Sequence, residues 1–206
     1  MLIDLAVHSD WRERCRKEIR EFLSRHSDSK SSLCERVKVV PVSAWEDELP
    51  TLDACIRESQ RVAITATLLR RNLCDNKIGG RVLKRGDFLA YSMSDVHFNP
   101  EYYPDPLKYD PDRWLRPNAT LDAPYSFIGW GAGRHPCAGM RFAKLEMKSI
   151  LTMFLTRYEY NLVDKDGKFP DSLPVPNRND VHQVCFEVEW RRCSARLLIV
   201  FFPSSS

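Results

Sequence analysis

Cys137 is the residue of this sequence whose neighbours point most clearly to chemistry. In the segment Phe127-Ile-Gly-Trp-Gly-Ala-Gly-Arg-His-Pro-Cys-Ala-Gly-Met140, Gly129, Gly131, Gly133 and Gly139 crowd around one cysteine, immediately ahead of an apolar run. Glycine is costly inside regular structure, so its clustering suits a backbone that must bend tightly or approach a flat ligand. A cysteine just before a helix meets the positive end of the helix dipole and unpaired N–H groups, which favour thiolate over thiol. Arg134 and His135 add positive charge, useful toward a thiolate or toward carboxylates on a ligand. A glycine-rich turn holding an inert cysteine remains open at this point. A phosphate loop lacks its Gly-Lys-Ser/Thr ending, and zinc lacks further ligands at suitable spacing.

The other cysteines carry no comparable signal. Cys15, Cys34, Cys55, Cys74, Cys185 and Cys193 are scattered, form no Cys-x-x-Cys pair and follow no secretory signal, which argues against a disulfide framework or zinc ribbon. Most are expected to act as small apolar residues on element faces. With 31 basic and 28 acidic residues the charge is nearly balanced, so a dedicated nucleic-acid surface is not expected. The apolar start, Met1 to Val7, and the apolar run Leu197 to Phe202 are both too short to cross a bilayer, which takes ~20 residues.

The elements that must position the cysteine loop follow from periodicity. Met1 to Val7 reads as the last turns of a helix. Ser9 or Asp10 can cap a second, with Trp11, Cys15, Ile19 and Phe22 or Leu23 on one stripe. Residues 24–32 are polar and Ser-rich, hence a loop. A third helix opens at Leu49-Pro50 and turns Leu52, Cys55, Ile56, Ser59, Val62 and Ala63 inward. From Leu68 to Met93 the pattern becomes β, with hairpins suggested at Gly79-Gly80 and Arg85-Gly86. Pro100 to Pro124 is an irregular meander. After Gly139 comes the strongest helix, whose apolar residues Met140, Ala143, Met147, Ile150, Leu151, Phe154 and Tyr158, with Phe142 and Leu145 opposite, predict burial around most of its circumference. Beyond Tyr158 the chain alternates like strands around Asp164-Lys165-Asp166-Gly167. The expected class is mainly α with small β sheets (α+β).

Two further motifs precede the loop. Glu58-Ser-Gln-Arg61 places a carboxylate and a guanidinium three residues apart, neighbours on a helix; alone it reads as an exposed ion pair worth under ~1 kcal/mol. Pro111-Asp-Arg-Trp114 lies in the meander. Together the three are similar to the ordered motifs of the cytochrome P450 family. Trp130 to Gly139 resembles the cysteine-loop signature Phe-Gly-x-Gly-(Arg/His)-(Arg/His)-x-Cys-x-Gly, with Trp130 replacing the usual Phe. His135 stands where Arg is commoner, a variant similar to that of sterol 14-demethylases and some fungal members. Glu58-x-x-Arg61 resembles the K-helix motif, and Pro111-x-Arg113-Trp114 the meander element. His97-Phe-Asn-Pro-Glu-Tyr-Tyr-Pro-Asp-Pro106 resembles another stretch of the family.

The resemblance covers the chain to about residue 183. It implies the C-terminal part of one P450 domain across residues 1–206, from the end of the I helix through the J and K helices, meander, cysteine loop, L helix and C-terminal strands, with 184–206 a divergent tail. It implies heme b (iron-protoporphyrin IX) with Cys137 as axial ligand and Trp130, Gly131, Gly133, His135 and Gly139 around it. Arg71, ten residues after Arg61, or the adjacent Arg70 would pair with a propionate. Glu58, Arg61 and Arg113 would form a structural triad, and residues 62–69 would line the substrate pocket. The implied activity is a monooxygenase, fungal in type, acting on an organic, apolar small molecule with O2 and electrons from NADPH-cytochrome P450 reductase. The longer form would sit at the endoplasmic reticulum membrane; this chain, without a spanning segment, would be soluble or peripheral. No (Ala/Gly)-Gly-x-(Asp/Glu)-Thr element occurs, so the expectation is a chain that begins just after it. Such a chain would bind heme weakly and turn nothing over; a non-catalytic heme-binding remnant is the alternative.

Overall fold

The computed structural model describes residues 1–64, 66–117 and 121–163, and the backbone of two strands at 187–192 and 195–199. Helices come first: α1 (Leu2–Val7), α2 (Ser9–His26), α3 (Leu33–Lys38), α4 (Val42–Asp47) and α5 (Pro50–Ala63). Strands β1 (Thr67–Arg71), β2 (Asn76–Ile78), β3 (Arg81–Leu83) and β4 (Phe88–Ser92) follow. Short α6 (Met93–His97), a 3-10 turn (Pro111–Trp114), α7 (Met140–Arg157) and strands β5 (Tyr158–Val163), β6 (Glu187–Arg192) and β7 (Ala195–Ile199) complete the order. The class is mainly α with small antiparallel sheets.

The core lies where α2, α5 and α7 meet. Trp11, Cys15, Ile19, Phe22 and Leu23 of α2 are all buried, on the stripe the periodicity predicts. They pack with Leu52, Cys55 and Ile56 of α5 and with Leu151, Phe154 and Leu155 of α7. Arg16 of α2, also buried, donates to the Tyr158 carbonyl at 2.7 Å and so anchors the start of β5.

Helix ends account for several departures from the expected pattern. Helix α2 starts at Ser9 with His8 in the capping position and no side-chain cap, so neither Ser9 nor Asp10 serves as one. Helix α2 runs through His26, into the loop expected at 24–32, and α3 begins directly after that loop through a reciprocal capping box, Ser32 with Glu35, a Ser-x-x-Glu signal present in the sequence. Helix α5 begins with Pro50 but has no cap of its own. Instead Glu18 of α2 reaches across, its carboxylate accepting the Thr51 and Leu52 N–H groups at 2.8 and 2.9 Å. The inward face of α5 ends earlier than expected: Val62 is half-buried and Ala63 exposed, while Glu58 and Arg61 are fully buried.

The β region holds two separate pairs. β2 and β3 form a hairpin at Gly79-Gly80, both glycines at positive φ. Arg85-Gly86 is not a second hairpin: β4 returns to pair antiparallel with β1, Leu69 opposite Ala90. Met93 is the first residue of α6, not the end of the β region.

Helix α7 is not buried around most of its circumference. Phe142 is 71% exposed and Ile150 57%, whereas Lys148 is buried. The Lys148 ammonium donates to the Trp45 and Glu46 carbonyls at 3.0 and 3.1 Å and pairs with Asp53 at 3.2 Å, tying α7 to the end of α4 and the first turn of α5. The turn expected at 164–167, residue 65 of the expected pocket segment, and Cys185 and Cys193 lie outside the described residues.

Candidate functional site

One buried carboxylate organises the centre of the molecule. Glu58 accepts from Arg61 Nη2 and Nε (2.8 and 2.9 Å), Arg113 Nε (3.1 Å), the Trp114 indole (2.9 Å) and the Asp110 N–H (3.0 Å). The isolated reading of Glu58 and Arg61 as an exposed pair therefore fails: both side chains are fully buried. The two arginines spend their remaining donors on meander carbonyls. Arg61 reaches His97, Pro106 and Lys108 at 2.8, 2.7 and 3.2 Å, and Arg113 reaches Pro104 and Lys108, both at 3.3 Å. A segment with little regular hydrogen bonding is thus held by side chains, which is how buried carbonyls outside helices and sheets find partners.

The meander in turn carries the cysteine loop. The buried Tyr103 hydroxyl donates to the Ser126 carbonyl at 2.7 Å, and burial pushes that phenol up to about 12. Phe127 packs on Trp114 with centroids 5.4 Å apart, and Arg57 lies over both rings at 4.8 and 4.0 Å. The loop closes on itself: Gly131 N–H donates to Ile128 at 2.8 Å, and Cys137 N–H to the Trp130 carbonyl at 2.7 Å. Gly131 and Gly133 sit at φ +78° and +77°, a conformation that other residues adopt only at a cost. A Cβ on Gly133 or Gly139 would meet nothing within 4 Å, so one side of the loop is open.

Cys137 is an exposed free thiol three residues ahead of α7, where the first N–H groups of an 18-residue helix gather. Arg134, His135 and Gly139 are exposed beside it, Trp130 and Gly131 half-buried. The Trp130 indole N–H is buried without a hydrogen-bond partner. Cys15 and Cys55 are fully buried in contact, 3.6 Å between sulfurs, while Cys34 and Cys74 are exposed, so the expectation of inert apolar cysteines fits only the first two.

Arg70 and Arg71, adjacent in β1, fall on opposite faces of the strand. Arg70 lines a depression of about 620 Å³ with Leu68, Leu89, Tyr91, Tyr125 and Gly133, which brings it to the same hollow as the cysteine loop. Arg71 pairs across the sheet with the exposed Phe88 and is not part of that hollow. Sequence reasoning passed over the His97 ring and Lys148. His97 was visible only as part of a resembling stretch, and a lysine in an apolar helix gives no sign that it will be buried.

Comparison with known proteins identifies the lineage. The family model for cytochrome P450 matches residues 1–186. The chain is 36% identical over 174 residues to cytochrome P450 monooxygenase AacuE of Aspergillus aculeatus, covering 82% of this chain and 35% of that protein. It is 35% identical over 172 residues to rat cytochrome P450 4F4, covering 82% and 31%. The structure of cyanobacterial CYP120A1 with retinoic acid bound superposes with a TM-score of 0.64 at 26% identity, covering 91% of this chain and 40% of that one. The chain spans about a third of the length of the curated relatives it matches. With the buried Glu58–Arg61–Arg113 cluster and the glycine-flanked Cys137 loop in one fold, this chain belongs to the cytochrome P450 family.

Proposed function

We propose that this chain supplies the thiolate side of a heme-dependent monooxygenase, with Cys137 as the ligand to iron. The observation that carries the reading is an exposed cysteine thiol ahead of a long helix, on a loop closed by the 2.7 Å bond from Cys137 N–H to Trp130. The residues present fit an iron porphyrin: an accessible sulfur on the loop, an indole N–H buried without a partner, and a loop whose Gly133 and Gly139 leave open space where side chains would stand. When bound, heme supplies the oxygen-activating redox chemistry.

The protein's own residues would hold and orient it. Gly131 and Gly133, both at positive φ, would form the turn that presents Cys137 to the group. His135 and either Arg70 or Arg71 would pair with the propionates by charge-assisted hydrogen bonds. Arg70 is favoured by its place in the hollow that reaches Gly133. Glu58, Arg61 and Arg113 act on the scaffold and touch no reacting atom. The substrate would be an organic, apolar small molecule contacting residues 62–69. The electron donor would be NADPH-cytochrome P450 reductase, and the longer protein would work at the endoplasmic reticulum membrane. Among the described residues no helix is long and apolar enough to cross a membrane.

A second reading, heme binding without turnover, is favoured by the exposure of every residue from Gly133 to Met140. A ring held against so open a loop would be accessible to solvent. Both readings are tested by titrating the chain with hemin, reducing it under CO and recording the Soret band. A thiolate-type band is expected in the wild type and in Cys34→Ala and Cys74→Ala, and absent in Cys137→Ala. Its survival in Cys137→Ala would overturn the ligand assignment. Product formation with a reductase and O2 separates the monooxygenase from the module without turnover.

A further inference from the structure

The His97 side chain is fully buried and serves neither the Glu58 cluster nor the proposed cofactor directly. Its Nε2 accepts the backbone N–H of Ile128 at 3.1 Å. That bond requires an unprotonated Nε2, so the neutral ring carries its proton on Nδ1. Nδ1 is buried, facing the carbonyls of Ile64 and Arg61 without a well-formed hydrogen bond to either. The ring stacks on Phe127 at 5.1 Å and 15° between planes, which fixes its orientation. Its own carbonyl takes a 2.8 Å hydrogen bond from Arg61. Ile128, fully buried, has both backbone groups engaged: its N–H on His97 and its C=O on Gly131 N–H at 2.8 Å.

A continuous path thus runs from Glu58 through Arg61 and His97 to Ile128, Gly131 and the loop that ends at Cys137. We propose that His97, as a neutral hydrogen-bond acceptor, is the positioning residue that sets the entry of the cysteine loop. The loop is also held by its own internal bonds, by Tyr103 and by Phe127 packed on Trp114 and against Arg57; the His97 link adds a hydrogen bond to its backbone that ties its entry to the buried cluster. A charged ring could not accept the Ile128 N–H, and the site resists charging. Burial first, and the Arg61 guanidinium second, hold His97 well below its ordinary value, at about 4. The charged groups acting on the ring are Arg61 and Glu58 of α5. The 127–128 segment brings no titratable group of its own, only Arg57 across the Phe127 ring.

The inference deepens the proposed heme-thiolate reading, and its test reads the loop itself. Gln can place an amide oxygen near the position of Nε2; Leu cannot accept. In hydrogen exchange of the whole chain, residues 127–137 should exchange at least ten-fold faster in His97→Leu, with α2 unchanged. His97→Gln should stay within about three-fold of wild type. On acidification through pH 4, after correction for intrinsic exchange, the wild-type loop should open and the His97→Gln loop should not. If His97→Leu does not fold, the Gln comparison decides alone. An unchanged loop in His97→Leu, or a Gln variant that opens with acid as the wild type does, would overturn the assignment. A thiolate Soret band that depends on Cys137 but is indifferent to His97→Leu would overturn it while leaving the heme reading in place. The loop response without any heme binding would support it and sink the heme reading.

Discussion

Glu58 shows what a single buried carboxylate can do when its donors come from four sequence positions. Arg61, Arg113, Trp114 and Asp110 all converge on it, and none of these donors has another carboxylate in the described cluster. Removing it leaves two guanidinium groups without their counter-charge, Arg61 fully buried and Arg113 nearly so. Glu58→Ala should therefore lose about 3–5 kcal/mol of stability, read from urea denaturation, and should release the meander to proteolysis before α2. Gly133 tests the opposite situation. Its φ of +77° is the obstacle to any side chain, because a Cβ would meet nothing within 4 Å. Gly133→Ala should cost about 1–2 kcal/mol from backbone strain alone, with no repacking signature; a markedly larger loss would show a neighbour that the loop geometry does not contain.

At the scale of elements, the helices are fastened by each other more than by their own ends. Glu18 caps α5 from α2, satisfying two N–H groups that Pro50 and Leu49 leave without a partner. Glu18→Ala should destabilise by about 1–2 kcal/mol, as loss of a cap does, and Glu18→Gln should recover part of it through the amide oxygen. Lys148 does the same work at the other end of α4, where its ammonium satisfies the Trp45 and Glu46 carbonyls. Lys148→Met preserves the stem but strands two carbonyls and leaves Asp53 to Lys144 alone, at 3.5 Å. A loss of about 2 kcal/mol is expected, measured as a lower urea midpoint. Stability gained in Lys148→Met would show that burying the ammonium costs more than its bonds return.

For the whole molecule, His97 gives acid sensitivity a definite window. Its folded value of about 4 lies below the ordinary 6.5. Between those limits the unfolded chain takes up a proton that the folded one excludes, so stability falls as pH drops from about 6.5 to 4. The contribution is fully present above that range, and the total is about 3 kcal/mol. A urea midpoint followed from pH 7 to pH 4 should fall in wild type and flatten in His97→Gln. The molecule also presents large apolar side chains on separate elements, Leu69 and Phe88 on the β1–β4 sheet and Phe142 and Ile150 on α7, each more than half exposed.

Local pattern alone was enough for the α2 stripe, the start of α5 at Pro50, the Gly79-Gly80 hairpin and the glycine-flanked Cys137, because each depends on residues within a turn or two of one another. Resemblance added the grouping of Glu58, Arg61 and Arg113, which no local rule supplies. Tertiary structure decided what happens when distant residues compete for the same space. It buried the Glu58–Arg61 pair that looked exposed, sent β4 back to β1 and ended the inward face of α5 before Ala63. It also left half of α7 uncovered while burying Lys148, and chose Arg70 over Arg71 for the hollow beside Gly133. The physical reason is the same in each case. Periodicity reports which face of an element is apolar, whereas burial of a charge depends on carbonyls and carboxylates that only the folded chain brings within hydrogen-bond reach.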